Sequence, residues 1–213
     1  MITGNARRLA AVSSVFLALG LGACASMNES ECLAVDWRVI GYEDGVAGHP
    51  GDRVAVHRKA CAKHGVVPDF DRYQAGRQEG LREYCRPANG FRVGARGVSY
   101  DGVCPADLEA AFLAAHESGA RLHLLESRVA QADYSLRAKQ RELDGLDESM
   151  LQNSLVIVSA ESTSEERAQA LLDTRRMAED SGRLKNEIQQ LEAERQLLQQ
   201  DLEIYRASLA DGV

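Results

Sequence analysis

In the second half of the chain, apolar residues recur at alternating steps of three and four over two long stretches. The first series is Leu108, Ala111, Ala115, Leu122, Leu125, Val129, Ala132, Leu136, Leu143, Leu146 and Met150, with Ser118 and Lys139 as its polar occupants. The second is Leu184, Ile188, Leu191, Leu198, Leu202, Tyr205 and Leu209, interrupted by Arg195. A mean step of 3.5 residues holds one stripe of side chains on one side of a helix and is the period of a coiled-coil seam. Pro105 suits a first helical turn, where its missing N–H would have no partner. Helices over residues 105–150 and 165–209 would each be about 70 Å long at 1.5 Å per residue. Near-equal lengths predict an antiparallel hairpin in which each stripe buries against the other. The same seams also suit pairing between chains, so they leave the oligomeric state open. Residues 167–181 keep the period poorly, and Gly145 and Gly182 are weak helix formers, so a bend is expected there.

Between the two series stands Leu155-Val156-Ile157-Val158, four apolar residues that neither helical period explains. At a hairpin tip such a run would be a candidate partner contact, because exposed apolar patches mark interaction sites. The plainer expectation is that a helix continues through it and the run closes the end of the core.

Composition separates this tail from what precedes it. Residues 25–104 hold 11 of the 18 glycines and equal numbers of acids and bases, 11 of each. Beyond Pro105 there are four glycines and 21 acids against 12 bases, so the excess negative charge behind the formal total of -7 resides in the tail. The boundary expected from this shift lies near Cys104 and Pro105. A net negative chain without a basic cluster is a poor match for nucleic acid, whose phosphates require a Lys/Arg surplus.

The chain opens with Arg7 and Arg8 followed by the apolar run Leu9 to Leu19, the layout of an export signal over residues 1–23. The run ends in Leu21-Gly22-Ala23-Cys24, which resembles the lipobox of bacterial lipoproteins. That resemblance implies acylation of Cys24, for instance with palmitate, and a membrane partner reached through the acyl anchor. Residues 24–31 would then be a linker. Two acyl chains hold a protein stably on a bilayer, at about 0.8 kcal/mol per buried methylene. Ala25 rather than Asp after the cysteine favours the outer membrane, with the mature chain facing the periplasm.

In that oxidising compartment the remaining cysteines, Cys32, Cys61, Cys85 and Cys104, form an even set and read as two disulfides. Four cysteines allow three connectivities. Cys32 with Cys61 and Cys85 with Cys104 is preferred, since each bridge closes a local unit. A small disulfide-tied domain over residues 32–104 follows.

Within it, Gly41-x3-Gly45 recurs as Gly76-x3-Gly80, each with aromatic neighbours. Four-residue spacing puts both glycines on one helical face, where another backbone can approach closely. Glycine-supported turns are the competing reading. Residues 54–64 suit a short helix ended by Gly65. Pro87-Ala88-Asn89-Gly90 reads as a turn, so residues 87–104 suggest a glycine-rich hairpin or an irregular loop.

The order Trp37, Gly41-Tyr42-x-Asp44-Gly45, Cys61-Ala62, Gly65-Val66-x-Pro68-Asp69, Tyr73-x-x-Gly76-Arg77-x-x-Gly80-Leu81-x-x-Tyr84-Cys85, Gly90, Gly94, Gly97 and Tyr100-x-Gly102-x-Cys104-Pro105 resembles a family of bacterial envelope proteins catalogued as domain of unknown function 2799. The resemblance spans roughly residues 30–145. It implies a small cysteine-containing periplasmic domain, often carried on a lipoprotein, and brings over no catalytic residue.

Chemistry-bearing constellations are sparse. His57, Cys61 and His64 have the spacing of a zinc-binding helix face, but Cys61 is required for the disulfide count and a fourth ligand is not evident. No metal or cofactor is therefore expected. Asp69, Asp71, Glu79 and Glu83 offer carboxylates for a hydrolase, although solvated charge is the commoner role. His116 and His123 lie off the apolar seam and read as surface residues. There is no nucleophile elbow, phosphate-cradling loop or dinucleotide fingerprint. The sequence thus predicts a mainly α protein: a small disulfide-tied Gly/Tyr-rich domain, then a long antiparallel coiled-coil hairpin. The function it suggests is a non-catalytic envelope lipoprotein serving as structural spacer or docking component, with an envelope protein or the cell wall as partner. The alternative is a cell-wall glycan- or peptide-binding module in which Trp37, Tyr42, Tyr73, Tyr84 and Tyr100 contact the ligand.

Overall fold

The computed structural model describes residues 27–211. The export signal expected over residues 1–23, and Cys24, lie outside these residues. Among the described residues there are seven helices and no strand: α1 (Glu29–Ala34), α2 (Trp37–Val46), α3 (Arg53–Ala62), α4 (Phe70–Tyr84), α5 (Pro87–Ala95), α6 (Ala106–Val158) and α7 (Ser164–Asp211). The protein is mainly α. Its contacts divide it into two compact units, one ending at Leu81 and one beginning at Arg82.

In the first unit the short helices begin on side-chain caps. Asn28 accepts from the Glu31 N–H while Glu31 reaches back to the Asn28 N–H, a reciprocal box that satisfies two otherwise orphan donors. Asp36 caps α2 by accepting from the Arg38 N–H, and Asp69 accepts from the Arg72 N–H at the start of α4. Gly65, at φ 72°, ends α3 as the sequence predicts. The Val66 N–H bonds to the Cys61 carbonyl and the Gly65 N–H to that of Ala62, the double closure of a Schellman motif. The core is Cys32, Trp37, Cys61 and Tyr73, with Met27, Val35, Ile40, Val54 and Val66 packed around it.

The glycine echo is a helix crossing. A methyl group on Gly41 would strike the Tyr73 carbonyl, and one on Gly45 that of Arg77. From the other side, Gly76 faces the Arg38 carbonyl and Gly80 that of Tyr42. The α2 and α4 backbones therefore touch through four glycines, and the close-packing reading holds over the turn reading.

The second unit repeats this device where the sequence suggested a hairpin or loop. Residues 87–95 are helical because Pro87 occupies the first turn, where it is tolerated. Asn89 spends its amide on the Tyr84 carbonyl at 2.8 Å rather than on a turn. Gly90 and Gly94 then press α5 against the carbonyls of Phe112 and His116 on α6, and Gly119 meets that of Phe91. Because α5 packs on the first turns of α6, the Cys85–Cys104 bridge belongs with the long helices, and the division falls inside α4 rather than at Pro105.

Beyond Gly119, α6 and α7 form the antiparallel hairpin, about 80 Å and about 70 Å long at 1.5 Å per residue. Leu143, Leu184 and Ile188 form its buried centre with Leu136 and Leu146 against them. Burying each such leucine is worth about 1.5–3 kcal/mol. The two charged interruptions of the seam find partners across it: Lys139 with Glu187 at 2.9 Å and Arg195 with Asp133 at 3.3 Å. Near the base, the Tyr205 hydroxyl donates to the Ser118 carbonyl at 2.8 Å.

The hairpin departs from expectation in two places. α7 is continuous through residues 167–181, with buried Ala170 and Ser181 continuing the seam. Their small side chains, not a break in the helix, weaken the apolar pattern there. Gly145 and Gly182 lie inside unbroken helix with open space where a side chain would stand. The tip is also shorter than expected, because α6 runs to Val158 and Thr163 caps α7 in a second reciprocal box, with Glu166.

Candidate functional site

Both disulfides follow the local pairing, Cys32 with Cys61 and Cys85 with Cys104. Each clasps one glycine-packed helix pair, and the two pairs correspond position by position. Gly41 and Gly45 answer to Gly90 and Gly94, Gly80 to Gly119, and the core ring Tyr73 to Phe112, as shown by the backbone atoms each glycine meets. Three residues past Gly45 and Gly94, Gly48 and Gly97 close α2 and α5 at φ 72° and 71°. Four residues before Cys61 and Cys104 stand His57 and Tyr100, each tilted against its core ring, at 6.2 Å and 5.1 Å between centroids.

What differs is the chemistry inside. In the first pair, Asp44 is buried at 7% exposure, and its Oδ2 accepts from the Tyr73 hydroxyl at 2.7 Å and from His57 Nε2 at 2.8 Å. Arg53 Nε lies 3.9 Å from the other carboxylate oxygen. Arg77, one turn along from Tyr73, donates to the His49 carbonyl at 2.8 Å. Burial, and then the bond to Asp44, push the Tyr73 hydroxyl well above the ordinary tyrosine pKa. In the second pair the corresponding positions are Val93, Tyr100, Phe112 and His116, and that core is aromatic: Tyr84 and Tyr100 pack on Phe112 at 5.4 Å and 5.1 Å. The same backbone crossing is thus held with and without an internal charge, so the Asp44 cluster is not a requirement of the fold.

Sequence reading missed this cluster because its members are far apart in the chain, on three helices. The available signal was the correspondence between the two glycine pairs, which places an aspartate opposite a valine. Chemically, one carboxylate ties α2, α3 and α4 together through a phenol and an imidazole. The Tyr73 side chain is fully buried, so no external molecule meets it in this conformation. His57 and Cys61 do not converge with His64 on a common point: Cys61 is in the disulfide, His57 is on Asp44, and His64 lies 4.0 Å from Glu29.

The aromatic residues proposed for ligand contact are mostly structural. Trp37 and Tyr73 are in the first core. Tyr84 and Tyr100 flank Phe112 in the second, with Tyr100 donating to Glu109 at 2.9 Å and accepting from the Cys104 N–H at 2.8 Å. Tyr42 alone of the five is exposed, at 40%. The carboxylates do not gather either: Glu79 pairs with Arg38, Glu83 with Arg86, and Asp69 caps α4. His116 donates from Nε2 to the Val98 carbonyl at 2.7 Å and His123 covers Gly97, so both fasten residues 97–98 to α6 rather than standing free.

At the hairpin tip, Leu155, Val156, Ile157 and Val158 are the last turn of α6. Ile157 continues the seam spacing from Met150 through Asn153 and is half-buried. Leu155 and Val158 face solvent at 55% and 78% exposure, and Leu151 on α6 and Leu171 and Leu172 on α7 are exposed as well. The helix does continue, as the plainer expectation held, but the run does not close a core.

The described residues define an all-helical protein: two disulfide-clasped, glycine-crossed helix pairs, the second prolonged into a coiled-coil arm. Residues 36–121 match the model of the family described as protein of unknown function (DUF2799). The matched stretch covers both helix pairs and ends two residues after Gly119, so most of the arm lies beyond it. No curated protein and no solved structure matches the chain.

Proposed function

We propose that this protein is a non-catalytic lipoprotein of the cell envelope, acylated at Cys24, held on the outer membrane and facing the periplasm, whose helical arm acts as a spacer or docking element. The observation that carries the reading is the arm itself. Its seam is satisfied within one chain by paired leucines and cross-seam ion pairs, while apolar side chains at its far end, Leu151, Leu155, Val158, Leu171 and Leu172, stay in solvent. A self-contained rigid rod that exposes apolar surface at its tip is suited to reach a partner and contact it there. Two disulfides agree with an oxidising compartment.

The test uses cells making the full chain. Metabolic labelling with palmitate should mark the wild type and not Cys24→Ala. Photocrosslinking from position 155 should give a discrete envelope adduct that Leu171→Asp removes. Label in both forms would refute acylation at Cys24, and crosslinking no stronger from position 155 than from exposed mid-arm position 140 would refute tip docking.

A further inference from the structure

An exposed apolar face on the first unit has no role in the fold described above. α2 has two apolar sides. One, with Trp37, Gly41 and Gly45, is buried in the crossing with α4. The other carries Val39, Tyr42 and Val46 at i, i+3 and i+7, with 51%, 40% and 41% of their surfaces exposed. Beside it an open groove of about 580 Å³ is lined by Met27, Ala34, Val35, Val39 and Ile40. Leu33, 67% exposed, extends the apolar surface onto α1.

Two carboxylates border the groove, and both already have partners inside the unit. Glu31 accepts from the Asn28 N–H at 2.7 Å, and Asp36 is bridged by Arg72 at 3.0 Å. Covering the groove with an apolar medium therefore strips neither of these two carboxylates of its partner, whereas Glu43, exposed on the same side of α2 as Val39 and Val46, has to stay at the level of the headgroups.

The position of the chain identifies what covers it. Met27, the first described residue, is itself part of the lining, and only Ala25 and Ser26 separate it from Cys24. Three residue steps span at most about 11 Å when fully extended. Interfacial helices sink their apolar sides about 5–10 Å into the boundary between headgroups and acyl chains. If Cys24 is acylated, the groove cannot leave the neighbourhood of the leaflet that holds the acyl chains.

We infer that the Met27–Val35–Val39–Ile40 face of α1 and α2 rests on that lipid leaflet, so that the protein meets the membrane through a second, non-covalent apolar contact. This inference rests on acylation of Cys24 and deepens the reading above by stating which face of the first unit lies on the bilayer. Acylation alone would leave the unit free to turn on its tether, and the apolar face stops that rotation.

Trp37 is the single tryptophan of the chain and belongs to the buried cluster against which the groove residues Met27, Val35 and Ile40 pack, so it reports from behind this face without a label. Acylated protein purified from membranes is reconstituted into vesicles of phosphatidylethanolamine and phosphatidylglycerol, with or without bromine on the acyl chains. The brominated lipid should lower Trp37 emission by about half in the wild type, as burial near the acyl boundary requires. Val39→Glu and Val46→Glu, both at exposed positions, should restore most of the emission with the acyl mass and helical circular dichroism unchanged. Equal emission in the two lipids for demonstrably acylated wild type would overturn the inference while leaving the lipoprotein reading intact. Equal quenching in the wild type and both variants would overturn it too, because the tether alone would then account for proximity. Absence of an acyl mass on Cys24 would instead defeat the reading beneath it.

Discussion

The Tyr73 hydroxyl donates to Asp44 Oδ2 across 2.7 Å in a fully buried setting, and at the corresponding place in the second helix pair Phe112 has no hydroxyl and Val93 no carboxylate. One backbone arrangement therefore carries a polar core in one copy and an apolar one in the other. Removing the hydroxyl leaves the Asp44 oxygen with His57 alone, so Tyr73→Phe should cost about 1–3 kcal/mol in urea unfolding. The double change Tyr73→Phe with Asp44→Val, which imitates the second pair, should recover part of that loss.

The same bond sets an alkaline limit. Tyr73 is held above its ordinary pKa by burial first and the Asp44 bond second. A raised folded pKa gives stability that is complete below the unfolded value, about 10 for tyrosine, and is lost as pH rises toward the folded one. Tyr84 and Tyr100 are raised as well, chiefly by burial. Thermal stability should therefore fall with rising pH above about pH 10. Tyr73→Phe should make that decline shallower without abolishing it. An unchanged slope would show that Tyr73 does not set it.

Glycine-to-alanine changes should split into two groups. At Gly41 and Gly80 a methyl group meets a facing carbonyl on the opposite helix, and α2 and α4 must separate. Each should destabilise by about 1–3 kcal/mol, the usual range for overpacking. At Gly145 and Gly182 the space is open, and alanine should stabilise by up to about 1 kcal/mol through helix propensity. Urea midpoints of the four variants check the sign at each position.

At the tip, neighbouring apolar residues should behave differently. Leu155→Asp places a charge on a side chain already 55% exposed and should change stability by less than about 0.5 kcal/mol. Ile157→Asp puts the charge into the seam and should lower it by about 2 kcal/mol or more. If the tip docks a partner, Leu155→Asp should abolish the adduct formed by a photocrosslinker at exposed position 151 while leaving the thermal midpoint in place.

Reduction should loosen the two units separately. The Cys32–Cys61 bridge spans 29 residues and the Cys85–Cys104 bridge 19. By loop-closure entropy each stabilises its unit by about 3 kcal/mol. Replacing Cys32 and Cys61 together by alanine should make residues 32–66 exchange amide protons fastest, with the hairpin seam still protected. Fast exchange at the seam in that variant would count against two separately clasped units.

The hairpin was legible because its signal is local and repeated: alternating steps of three and four from Leu122 to Met150 and from Leu184 to Leu209 leave one helical face apolar. Its tip was misplaced by a few residues, since Asn153 hides the seam step that leads to Ile157, and Thr163 with Glu166 ends the connection early. Ala170 and Ser181 hid part of the second seam because small side chains fill a close approach without looking apolar.

By itself, the sequence determined which stretches are helical arms, which cysteines are near enough in the chain to pair, and where glycine allows two backbones to meet. Those are consequences of spacing along the chain. Only the tertiary structure decided that Gly90 and Gly94 belong to a helix crossing rather than a turn, that Asp44, His57 and Tyr73 share one buried bond network, and that Leu155 faces water while Ile157 is half-buried in the seam. Each of these depends on what a second segment, distant in sequence, places opposite the residue. Burial and hydrogen bonding belong to pairs of surfaces, and a one-dimensional pattern specifies only one of the two.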